Sequence, residues 1–179
     1  MARRLSVTLC LALLASLTLA GEASAGPIVN FSAPTKTTLP ANPNSVATGD
    51  FNSDGDPDLA VASDAAGTVS ILTGGLGGSF SAPTSIAVPG GATAVAVGNF
   101  NSDQDTDLDL AVVGTGGTVS TFLGAVGSTF STGQTMTSGS TFPVDVAVGD
   151  FNGDADPELA VANQGAEPSG RLPTAVTGP

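Results

Sequence analysis

From residue 46 onward, short apolar runs alternate with polar, glycine-marked turns. No segment after residue 25 keeps the spacing of an amphipathic helix. Val46-Ala-Thr-Gly49 reads as a first short strand and Leu59-Ala-Val-Ala62 as a second. After a turn at Ala66-Gly67, Thr68-Val-Ser-Ile-Leu72 alternates as a half-buried strand does. A second turn at Gly74-Gly-Leu-Gly-Gly78 leads past Phe80 to a fourth strand, Ser85-Ile-Ala-Val88. Further on, Gly116-Gly-Thr-Val-Ser-Thr-Phe-Leu123 repeats the third.

The pattern is an internal repeat. Val46-Ala-Thr-Gly-Asp50-Phe-Asn-Ser-Asp-Gly-Asp-Pro-Asp-Leu-Ala-Val-Ala62 returns as Val95-Ala-Val-Gly-Asn99-Phe-Asn-Ser-Asp-Gln-Asp-Thr-Asp-Leu-Asp-Leu-Ala-Val-Val113, with two extra residues. It returns again as Val146-Ala-Val-Gly-Asp150-Phe-Asn-Gly-Asp-Ala-Asp-Pro-Glu-Leu-Ala-Val-Ala162, and the spacings are 49 and 51 residues. A second landmark, Phe31-Ser-Ala-Pro, Phe80-Ser-Ala-Pro and Phe130-Ser-Thr, recurs in step. Six of the eight Phe residues occupy these two positions, so the repeat organises the core as well as the polar loops. Four short antiparallel strands per period of this length describe one blade of a β-propeller. The expected fold is therefore all-β: an incomplete β-propeller of about three four-stranded antiparallel blades.

The first 25 residues stand apart. Arg3 and Arg4 precede an apolar stretch from Leu5 to Ala20, and Ala23-Ser24-Ala25 fits a small-residue cleavage site. Residues 1–25 read as an export signal, too short in its apolar part to span a bilayer. A repeat region follows over 26–165, with copies near 44–92, 93–142 and 143–165, and then an irregular tail, 166–179. No membrane span is expected once the signal is removed, and the expected location is secreted, extracellular or in the cell envelope.

Charge narrows the chemistry. From Gly26 on, Lys36 and Arg171 stand against 15 acids, a formal charge of −13, and no Cys remains. Nucleic acid is excluded as a partner for want of clustered cations. The absence of His anywhere removes His catalysis and His-based zinc sites. Of 13 Asp residues, 11 fall in the windows 50–58, 103–109 and 150–156, so the acids belong to the repeated loops.

Counted from Asp50, oxygen-bearing side chains fall on alternate positions: Asp50, Asn52, Asp54, Asp56 and Asp58. Gly55 permits a sharp turn between them. Calcium takes six to eight oxygen ligands, and such a loop can bring alternate side chains to one centre. A polar hairpin turn whose carboxylates face water would account for one loop. It accounts poorly for three in register, each with four acids whose repulsion a divalent ion would offset. An EF-hand is excluded, because its bidentate Glu would fall on Val61, Leu110 or Val161.

The element Gly49-Asp-Phe-Asn-Ser-Asp-Gly-Asp-Pro-Asp-Leu-Ala-Val resembles FG-GAP and VCBS-type repeats, which build extracellular propellers like that of integrin α subunits. The resemblance covers roughly residues 27–165. It implies calcium held by side chains at positions 1, 3, 5 and 9 and by a backbone carbonyl at position 7. Carried onto this chain, the first site takes Asp50, Asn52, Asp54 and Asp58 with the carbonyl of Asp56. The third takes Asp150, Asn152, Asp154 and Glu158 with the carbonyl of Asp156. The second takes Asn99, Asn101, Asp103 and Asp105, closed by either Asp107 or Asp109. Gln104 and Ala155 stand where the first loop has its turn glycine, so the expected order of affinity is first, third, second.

The functional expectation is a non-enzymatic, exported, calcium-binding module for recognition or adhesion, binding an extracellular protein or glycan. The alternatives are a truncated or accessory domain of a polysaccharide-active enzyme and a structural spacer. Four blades would need roughly 200 residues, so the repeat pattern also predicts either a homo-oligomer that completes the ring or a truncated product.

Overall fold

The computed structural model describes residues 36–40, 42–101, 107–139, 141–164 and 174–176, the last three by backbone alone. The segment read as an export signal lies outside the described residues. The chain divides into two units, Met1–Lys36 and Thr37–Pro179, and every described strand belongs to the second.

Thirteen strands and no helix make up the described residues: β1 (Pro43–Gly49), β2 (Asp58–Ser63), β3 (Thr68–Leu72), β4 (Gly74–Gly75), β5 (Ser79–Phe80), β6 (Thr84–Ala87), β7 (Ala94–Gly98), β8 (Asp109–Gly114), β9 (Thr118–Ala125), β10 (Thr129–Thr137), β11 (Pro143–Gly149), β12 (Glu158–Asn163) and β13 (Thr174–Val176). They pair antiparallel into a first sheet, β1-β2-β3-β6, a second, β7-β8-β9-β10, and a third, β11-β12-β13. None of the sheets closes on itself.

The two four-stranded sheets differ in one instructive place. In the second, β9 and β10 form one long hairpin, whereas in the first the same stretch is split into the pair β3–β6 and the small ribbon β4–β5. The copies differ there by Pro83, which has no N–H for the ladder, against Gly133. The third sheet also departs from expectation. Thr174-Ala-Val176, within the segment read as irregular tail, pairs Val161↔Thr174, Ala160↔Ala175 and Leu159↔Val176. That register repeats Val61↔Ser70, Ala60↔Ile71 and Leu59↔Leu72 of the first sheet, so a third strand is present without its Gly-Thr-Val-Ser signature.

Each sheet packs face to face on the next, and alternation along the strands assigns the residues. On its first two strands the second sheet presents Val95, Val97, Leu110 and Val112 to Ala47, Ala60 and Ala62 of the first. Its opposite face presents Ala94, Ala96, Ala111 and Val113 to Val146, Val148, Leu159 and Val161 of the third. Every junction therefore sets a branched aliphatic face against a smaller, mainly alanine face. Each fully buried Val or Leu contributes about 1.5–3 kcal/mol relative to exposure.

Two glycines mark how close the approach is. A Cβ on Gly49 would lie 2.8 Å from Leu108 Cδ1 and 3.3 Å from Val97 Cγ1, and one on Gly98 would lie 2.8 Å from Val148 Cγ1. The Gly ending the first strand of a sheet thus receives side chains of the following sheet.

Candidate functional site

The acidic loops join the first two strands of each sheet, and the registers make them equivalent. Gly49 pairs with Asp58, Gly98 with Asp109, and Gly149 with Glu158. The acid that closes the second loop is therefore Asp109, and Asp107 precedes the strand. The two extra residues are accommodated inside the loop, upstream of Asp109. Asp103 and Asp105 lie outside the described residues.

The three closing acids are buried, and the first two act alike. Asp58, 0% exposed, accepts the N–H of Phe51 on Oδ2 at 2.8 Å and that of Gly74 on Oδ1 at 2.7 Å. Asp109, equally buried, accepts the N–H of Phe100 at 2.7 Å and that of Gly124 at 2.8 Å. Each carboxylate pins the start of its own loop to the hairpin leaving the third strand. Glu158, one methylene longer, accepts the N–H of Phe151 at 2.8 Å and Nδ2 of Asn152 at 2.8 Å. The hairpin donors Gly74 and Gly124 escaped the sequence reading, although they occupy equivalent places in two copies.

Within the loops, side chains turn inward onto the backbone. Asp50 accepts the N–H groups of Asp54 (3.1 Å) and Gly55 (2.8 Å). Asn52 Oδ1 accepts that of Asp54 at 3.0 Å, and Asp54 accepts that of Asp56 at 2.8 Å. The third loop repeats this. Asp150 accepts Gly153 (2.6 Å) and Ala155 (3.0 Å), Asn152 accepts Asp154 (2.8 Å), and Asp154 accepts Asp156 (2.9 Å). The N–H of Gly153, and next that of Ala155, hold the Asp150 carboxyl below its ordinary value. Gly55 turns with φ 87°, and Ala155 takes φ 73° at the same place, a left-handed conformation costly for a residue with a Cβ. Asn99, Asn101, Asp56 and Asp156 occupy the corresponding loop positions of their copies.

By donor type the loops suit a hard divalent cation: carboxylate, amide and carbonyl oxygens, with no sulfur or imidazole. As the loops stand, no group of three or more Asp, Glu, His or Cys among the described residues is gathered to hold a metal ion. Their oxygens face loop N–H groups instead. Asp145, outside the loops, is exposed on β11 and accepts the N–H of Val146 at 2.9 Å. Among the described residues no helix is long and apolar enough to cross a membrane.

Residues 50–108 and 102–161 each match the family described as FG-GAP-like repeat. The chain belongs to the FG-GAP-like repeat family. The two matches together span more than half of the chain, each running from one acidic loop to the next. A search of curated proteins finds no match. As an FG-GAP-like chain with stacked antiparallel sheets, the molecule is a β-propeller-like repeat module.

Proposed function

We propose that this chain is an exported recognition or adhesion module in which each sheet is a propeller blade and calcium stiffens the D-x-N-x-D-x-x-x-D/E loops. The observation that carries the reading is the repeated loop construction. In the first and third loops the oxygens at positions 1, 3 and 5 already point into the loop, and in all three the closing acid anchors the loop to the sheet. Asp50, Asn52, Asp54 and Asp58 with the carbonyl of Asp56 would hold the cation in the first. Asp150, Asn152, Asp154 and Glu158 with the carbonyl of Asp156 would do so in the third. Asn99, Asn101 and Asp109, with Asp103 and Asp105, form the weaker second set. Calcium would offset the mutual repulsion of the acids and leave the loops rigid enough to present a protein or glycan surface. The family is generally non-catalytic, and each clustered acid here has a place in a loop.

Calorimetric titration of calcium and thermal melts in calcium and in EDTA test the proposal. Wild type should take up metal and melt higher, by about 2.7 kcal/mol of added stability at a hundredfold excess over Kd. Asp54→Ala and Asp154→Ala should each remove one binding event. No uptake and no thermal shift in wild type would end the calcium reading. A glycan array probed with and without calcium separates recognition from a spacer role.

A further inference from the structure

The three loops carry an asparagine at the same position, Asn52, Asn101 and Asn152, but not the same residue after it. Ser53 and Ser102 follow the first two, whereas Gly153 follows the third, and Asn152-Gly153 is the one Asn-Gly pair in the sequence. Ser53 and Gly153 both take left-handed backbone, with φ 61° and 85°. The place therefore accepts either residue, and a Cβ added at Gly153 would meet no other atom within 4 Å. Residues 151–156 of the third loop are exposed.

The hydrogen bonds that hold Asn152 and Gly153 are local. Asn152 Oδ1 accepts the N–H of Asp154 at 2.8 Å, and Nδ2 donates to Asp154 Oδ2 at 2.9 Å and to Glu158 Oε1 at 2.8 Å. The N–H of Gly153 donates to Asp150 at 2.6 Å. All four bonds lie within residues 150–158, so the loop opens by itself without unfolding the sheets. In an opened loop the Gly153 nitrogen reaches the Asn152 Cγ by closing a five-membered ring through the backbone carbonyl carbon, Cα and Cβ of Asn152. A serine in second place sets a Cβ beside the attacking nitrogen and narrows its backbone freedom, and glycine does neither.

We propose that Asn152-Gly153 is a site of self-modification, where the third loop loses ammonia and becomes an aspartyl or isoaspartyl loop while the equivalent Asn52 is spared. The Gly153 nitrogen gives its proton to water and bonds to Asn152 Cγ. The Cγ–Nδ2 bond breaks, and the amine leaves as ammonia with a proton from water. Water then opens the cyclic imide at one of its two carbonyl carbons. The net reaction turns asparagine and water into aspartate and ammonia, with nothing oxidised or reduced. Opening at Cγ leaves aspartate, and opening at the backbone carbonyl leaves a main chain that runs through Cγ and is one methylene longer. Either product replaces the Nδ2 donor facing Glu158, which is 3% exposed, with a carboxylate that only accepts. Glu158 thereby loses a hydrogen-bond partner and gains a like charge beside it. The inference concerns covalent chemistry within the loop and does not rest on the calcium reading.

Incubation of the purified protein in mildly alkaline buffer with EDTA, sampled over weeks and mapped by peptide mass spectrometry, tests it. The peptide carrying Asn152 should gain the mass difference between NH2 and OH and split into two chromatographic species. That gain should run about tenfold or more faster than at Asn52. Asp54-Gly55 in the first loop leaves the reading clean, because an aspartate that isomerises gains no mass. Gly153→Ser should slow residue 152 to the rate of Asn52, and Ser53→Gly should bring Asn52 up to the rate of Asn152. Both variants should keep the wild-type far-UV circular dichroism, since serine and glycine already occupy this place in equivalent loops. Aged wild type and fresh Asn152→Asp should both melt below fresh wild type in EDTA. No mass gain at Asn152, or equal rates at Asn52 and Asn152, would overturn the proposal. So would Ser53→Gly that leaves Asn52 as slow as before, or Gly153→Ser that leaves residue 152 as fast.

Discussion

Replacing Asp58 by Asn separates a backbone anchor from a metal ligand. In the structure both carboxylate oxygens of Asp58 accept N–H groups, from Phe51 at 2.8 Å and Gly74 at 2.7 Å, and no water reaches the side chain. Asparagine keeps one acceptor oxygen, but its NH2 must face the other N–H. One hydrogen bond is lost and one buried donor is left without a partner, a cost of about 2–4 kcal/mol. Asp58→Ala strands both donors and opens a small cavity, and should cost more. Asp145→Asn, at an exposed position, should stay within about 0.5 kcal/mol of wild type. Urea denaturation carried out in EDTA measures these differences without metal. A change in Asp58→Asn below about 0.5 kcal/mol in EDTA, with a large loss in calcium, would refute the anchor.

Three further outcomes rest on the same geometry. Gly49→Ala should destabilise by about 1–3 kcal/mol, because its Cβ crowds Leu108 and Phe51 at 2.8 and 2.9 Å. Gly149→Ala, whose Cβ would come no closer than 3.2 Å to the exposed Phe151 ring, should cost less than half as much in thermal melts. Ala155→Gly removes a left-handed alanine (φ 73°) that costs roughly 1–2 kcal/mol. It should raise the melting temperature slightly and tighten calcium binding in the third loop, read by calorimetry. Asp150, held below its usual value by the N–H groups of Gly153 and Ala155, favours the folded state in full above its unfolded pKa of about 3.9. That contribution is lost as the pH falls through its lower folded value, so Asp150→Asn should flatten the acid side of the stability–pH curve.

Strand positions were legible because apolar and polar residues alternate, as in Thr68-Val-Ser-Ile-Leu72, and because glycines mark the turns. That strand proves buried on both faces from Val69 to Leu72 rather than half-buried, its small Ser70 being enclosed as fully as its neighbours. The expectation of four-stranded blades followed from the period, and the structure shows stacked antiparallel sheets, none of them closed on itself. Counting could not choose between Asp107 and Asp109, since an insertion shifts positions while the ladder fixes only which residue faces Gly98. β13 was missed for a related reason. Pairing with β12 is made by backbone groups, so Thr174-Ala-Val176 takes the place of a strand whose side-chain pattern it lacks. The clips on Gly74 and Gly124 were hidden because a backbone N–H leaves no signature in its residue's name.

The asymmetry between the two faces of each sheet carries a historical consequence. A unit that holds Val and Leu on one side and Ala and Gly on the other carries complete instructions for both of its neighbours. Tandem duplication of such a stretch introduces no new surface that existing copies must adapt to, and stability grows by one intrinsic and one nearest-neighbour contribution per copy. Individual loops can then differ, as the second does with its two extra residues and the third with Ala155, without disturbing the packing that joins one unit to the next.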